Sequence, residues 1–262
     1  MSDSLQARLE SAESTVDMLR NADMKFNQYV FPDEHTNWIE EQRAVRESCA
    51  VVDQSYHMES CFVTGPEAIN FLQHIGVNSF AEIRSADPPQ AINLLMCNPD
   101  GYIIGDQILF YLKENEFSSV GSVWANNWIR YNAESLDYNV ETETSYGPYM
   151  EDATPPRYRF QIQGPNALDV MEDVVDGRLP EISLFEMDAI EIQDHSVYAL
   201  GHGMAATPGL EIFGPYEYHD EVLDAILVAG ERHDIRQLGS KAYKTGKIGS
   251  GWLVGPVPAI YE

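Results

Sequence analysis

SCFVTGPEAINFLQHI, residues 60–75, and RYRFQIQGPNALDVMEDV, residues 157–174, run through the same order of signals. Each begins with an apolar, strand-like run, breaks at a Gly-Pro pair, and resumes with apolar residues at helical spacing. The pairs are Gly65-Pro66 and Gly164-Pro165, and Ala68 and Ala167 stand two positions after the prolines. Proline suits the first turn of a helix, where its missing N–H costs nothing. A unit that occurs twice is a duplicated supersecondary element rather than a solenoid array.

Outward from the first copy, QAINLLMCN reads as a strand, Pro99-Asp100-Gly101 as a turn, and YIIGDQILFYL as the returning strand. A further strand over 117–121 leads into a helix over 125–136. From the second copy, strands follow over 189–193 and 196–200, then GLEIFGP, then a helix over 217–232. Strand, helix, strand, strand, helix is the order of a ferredoxin-like α+β unit. The reading is α+β, two interleaved ferredoxin-like units facing one another across a chamber. The halves run over about 51–145 and 157–262, and the Pro-, Gly- and acid-rich stretch at 146–156 is the linker candidate. The acid run over 141–152 reads with it as a solvated connection. Before the first half, residues 3–22 have amphipathic helical spacing. Residues 37–50 read as a second helix capped by Asn37, and VVDQSYHMESCFVTG reads as strand.

The 262 residues carry 16 Lys+Arg against 42 Asp+Glu, a formal net charge of −26. Non-specific nucleic-acid binding needs an excess of cations and is excluded as a function class. Hydrophobic residues at 44% are enough for a packed core, so the acid does not mean disorder. Few Lys and many carboxylates suit a halophilic protein or an ordinary acidic one, and composition does not choose. Cys49, Cys61 and Cys97 form no CxxC pair. Buried reduced thiols are expected, with neither zinc site nor disulfide framework. The N-terminus lacks the basic start and apolar run of a signal peptide, and no apolar run reaches membrane length. A cytoplasmic protein with no metal, nucleic-acid or membrane partner is the expectation.

The duplicated unit resembles the aminomethyltransferase (glycine cleavage T-protein) fold family. The resemblance runs from about residue 38 to 261 and rests on VTGPEAINFLQ, NPDGYIIGDQILFYL, FQIQGPNALDVM and PGLEIFGPYEYHDEVLDAIL. FPDEHTNWIEEQ, VVDQSYHM, HGMAATPGLEIFGP and LGSKAYKTGKIGSGWLVGPVPAIY are similar to the tetrahydrofolate-dependent aromatic O-demethylase branch. That branch takes methyl groups from vanillate, syringate or 3-O-methylgallate. The resemblance implies tetrahydrofolate as acceptor and a methoxyaromatic acid as substrate. Dimethylsulfoniopropionate demethylation and aminomethyl transfer are alternatives within the fold. Relatives continue into a C-terminal β-barrel, whereas this sequence stops at Tyr261-Glu262. A natural short form, a truncated product, and half of a split enzyme whose barrel comes from a second polypeptide are all open. A folate-binding half without catalysis is the matching non-enzymatic reading.

Methyl transfer from an aryl ether to an amine nitrogen needs a proton donor for the phenolate. Such an acid contributes about 10²–10⁴-fold. The resemblance places that acid at Tyr243, in GSKAYKTGK; a phenol with an ordinary pKa near ~10 stays protonated at neutral pH. A loop tyrosine packed beside Lys241 and Lys244 is the plainer reading; Lys247 is the remaining cation nearby. The resemblance also places the pterin-binding acid at Glu211, between Leu210 and Ile212 on a strand. Gln161 and Gln163 alternate onto one strand face, either toward the pterin or toward solvent. Trp252 either stacks on folate or packs in the core. Asp106 is a carboxylate in an apolar strand, costly unless paired or functional; the aminomethyltransferases use an Asp of this hairpin against the folate, so the resemblance implies a catalytic role, with a structural one as the alternative. Its neighbour Gly105 replaces the first of two acids in the aminomethyltransferases. Tyr29 and His57 are candidates for the substrate pocket, although a lone strand histidine is more often satisfied locally. Gly201, before HGM, stands where relatives tend to carry Arg, which implies one cation fewer for a carboxylate.

Overall fold

The computed structural model describes residues 10–14, 32–87, 89–145, 154–204 and 207–249. Tyr29, Trp252, most of the helix expected over 3–22 and most of the linker candidate lie outside them. Helix α1 (Trp38–Glu47) starts where its cap predicts: Asn37 Oδ1 accepts from the backbone N–H of Ile39 at 3.0 Å and of Glu40 at 3.4 Å. It ends earlier than residue 50. The Cys-Ala-Val-Val run is buried on both faces and forms β1 (Cys49–Asp53) instead.

The long strand expected from 51 onward is broken. Residues 54–58 turn, and β2 (Glu59–Thr64) joins a different sheet from β1. The first repeat then proceeds through α2 (Ala68–Ile75), a short α3 (Ala81–Ser85), β3 (Gln90–Cys97), β4 (Ile103–Lys113), β5 (Glu116–Gly121), α4 (Val123–Ser135) and β6 (Glu141–Ser145). Its five-stranded sheet has the order β3-β4-β5-β2-β6. The β3–β4 turn is closed by Asn98, whose Oδ1 accepts from Asp100 and Tyr102 N–H, with Gly101 at φ +85°.

β6 corrects the reading of residues 141–145 as solvated connection. ETETS pairs in full along β2 as an edge strand, and its glutamates suit an edge that faces water. The second repeat gives β7 (Arg157–Gln163), α5 (Ala167–Val174), β8 (Met187–Ile192), β9 (His195–Gly201), β10 (Gly209–Pro215), α6 (His219–Gly230), β11 (Ile235–Gln237) and α7 (Ser240–Gly249). Its sheet has six strands, β11-β1-β7-β10-β9-β8. β1 is inserted beside β7, antiparallel to it and parallel to β11. That insertion is the interleaving.

The two Gly-Pro turns are superimposable in their constraints. Gly65 and Gly164 both have φ +126°. A Cβ on Gly65 would stand 2.4 Å from Asn139 O, and one on Gly164 2.6 Å from Ser48 O. Asn139 and Ser48 lead into β6 and β1, so β1 lies against β7 as β6 lies against β2. Only glycine fits either turn.

Each sheet covers one face with helices. Phe71, Leu72, Leu94, Leu109, Phe117 and Ile129 fill the first core, and Phe160, Ile162, Val170, Met171, Ile212 and Ile226 the second. Complete burial of such side chains stabilises by about 1.5–3 kcal/mol each. The uncovered faces meet: Phe110 and Val120 of one sheet pack with Leu200 and Phe213 of the other, and Phe110 and Phe213 touch edge-on at 5.1 Å. The family-like α+β architecture with two facing sheets is therefore present. No helix among the described residues is long and apolar enough to cross a membrane. Cys49 and Cys61 are buried reduced thiols, their pKa pushed up to about 12 by burial.

Candidate active site

Strand alternation sends Tyr158, Phe160 and Ile162 into the helix-covered core. It sends Arg157, Arg159, Gln161 and Gln163 to the opposite face of β7. That face looks toward the other sheet, yet Arg159, Gln161 and Gln163 are buried, which removes the solvent-facing alternative for the two glutamines. Gln161 Nε2 reaches the backbone carbonyls of His202 (2.5 Å), Leu210 (3.3 Å) and Ile162 (3.4 Å). Those contacts orient the amide and turn its oxygen away. Neither Gln161 Oε1 nor Gln163 Oε1 has a hydrogen-bond partner among the described residues. A buried acceptor without a donor costs free energy. Two of them on one face invite a ligand that donates.

Glu211 lies opposite Gln161 on β10 and is 1% exposed, so it does not point outward. Burial alone would raise its pKa. Arg159 Nε, 2.8 Å from Oε1, and His202 Nδ1, 3.5 Å from Oε2, outweigh that and hold the carboxyl down to about 2. The acid is thus ionised, and a carboxylate has room for more donors than these.

Arg159 continues the network. Its NH2 group donates to Gln54 Oε1 at 3.4 Å, and Gln54 Nε2 donates to Tyr243 Oη at 3.0 Å. Tyr243 is 3% exposed on α7, not a loop tyrosine beside lysines. Lys241 instead reaches Glu34 at 3.3 Å. His57 is buried and meets the Tyr243 ring edge-on, with centroids 4.9 Å apart. Glu211, Tyr243 and His57 are therefore brought together, and the links are Arg159 and Gln54.

The turn that carries Gln54 and His57 is held from beneath. Asp53 Oδ1 accepts from the backbone N–H (2.9 Å) and hydroxyl (2.5 Å) of Ser55, and Ser55 Oγ accepts from Arg159 N–H. Asp53 Oδ2 meets His219 Nε2 at 2.9 Å, whose Nδ1 meets Asp220 at 2.7 Å. Burial opposes a charge on His219, but the two carboxylates prevail and raise its pKa.

Asp106 needs a correction. It is exposed near the start of β4, so the cost of an unpaired buried carboxylate does not arise. Alternation puts it on the face of Ile108 and Phe110, while neighbouring Gln107 turns toward α4 and bonds Asn126. At Gly201, backbone takes the space of a side chain. The 183–186 segment pairs with it, Phe185 N–H donating to Gly201 O at 2.8 Å. A Cβ there would collide with Ser183 O.

Sequence reasoning missed Gln54, Arg159 and Arg157. For the arginines a signal existed: the period-two pattern that paired Gln161 with Gln163 extends back to 159 and 157. For Gln54 none did, because nothing local says that a residue between two sheets will face a helix from the far end of the chain.

The sequence profile of the GCVT N-terminal domain matches residues 14–254. Over 260 residues the chain is 38% identical to Syringate O-demethylase of Sphingobium sp. (strain NBRC 103272 / SYK-6), covering 98% of this chain and 56% of that protein. It is 26% identical over 233 residues to Aminomethyltransferase of Chlorobaculum tepidum, covering 87% of the chain and 60% of the relative. Among solved structures, glycine cleavage system aminomethyltransferase T from Bartonella henselae superimposes with a TM-score of 0.64 at 20% identity. The match covers 83% of this chain and 55% of that one. The structural likeness bears on the fold, and it is this fold. The chain spans little more than half the length of these relatives.

Proposed function

The chain belongs to the GCVT N-terminal domain family, and on that premise we propose that it works as a tetrahydrofolate-dependent O-demethylase, moving a methyl group from a methoxylated aromatic acid to the folate. The observation that carries the reading is the chain Glu211–Arg159–Gln54–Tyr243, which ties a buried acceptor cluster to a phenol. The 38% identity to Syringate O-demethylase supports the choice of methyl donor.

The residues fit a reduced pterin. Glu211 is an ionised acceptor, and Gln161 Oε1 and Gln163 Oε1 are buried acceptors that lack donors among the described residues. A pterin edge offers N–H groups and an exocyclic amine, so the donor and acceptor patterns match. When bound, tetrahydrofolate supplies the amine nitrogen that takes the methyl. Tyr243 would give its proton to the aryl oxygen as the methyl–oxygen bond breaks. The Gln54 amide N–H already donates to Tyr243 Oη, an arrangement that favours the phenolate the tyrosine becomes. Arg159 fixes which end of the Gln54 amide faces the phenol, because its cation takes the oxygen end. His57 and Tyr29 are proposed to border the substrate, Asp106 to be a second catalytic residue, and Trp252 to lie against the folate.

The test is incubation of the purified protein with tetrahydrofolate and a panel of syringate, vanillate, 3-O-methylgallate, dimethylsulfoniopropionate and an aminomethyl donor. Mass spectrometry reads the folate product. Formation of 5-methyltetrahydrofolate with a methoxyaromatic acid supports the reading. Product only with the sulfonium or aminomethyl donor, or folate binding without turnover, overturns it.

A further inference from the structure

The space between the sheets extends past Arg159 into a cleft that none of the proposed site residues above explains. Its lining includes Phe62, Phe110 and Phe213, with Ser60, Ser118 and Arg157. About 490 Å³ in and around it is free of protein atoms, most of that space open to solvent. Three phenyl rings offer flat apolar contact. Ser118 lies opposite Phe62 in the β2–β5 ladder, so the hydroxyls and the rings alternate on one sheet face.

Arg157 is the unusual member. It is half-buried, its guanidinium carbon lies 5.8 Å from the centroid of Phe62, and no carboxylate among the described residues comes within ion-pair distance of it. Arg159, one strand period away, has Glu211 as its counter-ion. Burial pushes the Arg157 pKa down, with Glu116 and Tyr198 opposing. In a chain of net charge −26, a partly desolvated cation with no ion-pair partner among the described residues is poorly placed for stability alone. It is well placed for an incoming anion, because the guanidinium fork matches a carboxylate with two parallel hydrogen bonds.

We infer that Arg157, backed by Ser60 and Ser118 and walled by Phe62, Phe110 and Phe213, is the subsite for the carboxylate end of an aromatic acid. The inference rests on the proposed demethylase reading for the identity of the ligand, but not for its chemistry. The ring lies against the face that carries the phenyl side chains, the carboxylate meets Arg157, and the opposite end of the ring lies toward the turn that carries Ser55 and Gln54. Arg157 is then a determinant of specificity for acids over neutral methoxyphenols.

The test is calorimetric titration of the whole protein with 3,4-dihydroxybenzoate and with catechol, its decarboxylated counterpart, beside the variants Arg157→Gln and Arg157→Lys. Neither ligand can donate a methyl, so the measurement is independent of turnover. The expected result is at least tenfold weaker binding of the acid by Arg157→Gln, partial recovery in Arg157→Lys, steep weakening with added salt, and equal catechol affinity in all three. Equal affinity of the acid for the native protein and Arg157→Gln overturns the inference, as does failure of the native protein to bind the acid. Circular dichroism and melting of the variants separate misfolding from loss of the contact, and retained catechol binding does so within the titration. Arg157-dependent binding without methyl transfer would leave the subsite standing and remove the demethylase reading. Methyl transfer unaffected by Arg157→Gln would do the reverse.

Discussion

Glu211 and Tyr243 sit on different elements of the fold, β10 and α7, yet belong to one hydrogen-bonded chain through Arg159 and Gln54. The charge on one end fixes the geometry at the other. Arg159 holds its place because Glu211 is ionised, and Gln54 presents its N–H to the phenol because Arg159 takes its oxygen.

Glu211→Gln should therefore lose stability as well as ligand. It strands the Arg159 cation in a dry site, and breaking a buried pair on one side costs about 3–5 kcal/mol. Urea unfolding measures it. The folded pKa of Glu211 lies below its ordinary value of 4.5, so its contribution is present above pH 4.5 and is lost as pH falls toward about 2. The gap in unfolding midpoint between native protein and variant should narrow across that window. A gap that stays constant would mean that Glu211 is not the titrating group.

Tyr243→Phe should lower kcat by about 10²–10⁴-fold toward a methoxyaromatic acid while tetrahydrofolate affinity changes little. A sulfonium donor leaves as a neutral sulfide and needs no proton, so turnover of that donor would be indifferent to the change. Steady-state kinetics with both donors decides; full activity of the Phe variant on the aryl ether removes Tyr243 as the acid.

His219 should titrate above 6.5, its ordinary value, because Asp53 and Asp220 both stabilise the imidazolium. Its folded pKa is raised, so the stability it adds is complete below about pH 6.5 and disappears as pH rises through the folded value. Proton NMR of the imidazole gives the midpoint directly. Asp53→Asn should lower that midpoint and loosen the Ser55 turn that supports Gln54; an unchanged midpoint would discount the Asp53 contact.

Gly65→Ala and Gly164→Ala should each destabilise by about 1–3 kcal/mol, since both positions combine positive φ with a backbone oxygen where the methyl would go. The two costs should add, because the turns lie in separate sheets. Thermal or urea unfolding of the single and double variants measures this. A neutral Gly164→Ala would argue that β1 is not seated against β7 as described.

The period-two and helical patterns of residues 60–75 and 157–174 determined by themselves that the chain folds as a duplicated α+β unit. Burial of an alternating face is a local requirement, and Gly-Pro punctuation is a local stop. The same alternation put Gln161 and Gln163 on one face and opposed Glu211 to its apolar neighbours. It did not reveal β6, because ETETS lacks the apolar side that marks a strand and is held by pairing alone. It misjudged Asp106, because a polar residue in an apolar strand is costly only where the strand is covered, and the start of β4 is not. Insertion of β1 beside β7, arrival of Tyr243 at Gln54, and pairing of Arg159 with Glu211 were decided by tertiary structure alone. Each joins residues far apart along the chain, and no local pattern records which distant donor will meet which acceptor once two sheets close face to face.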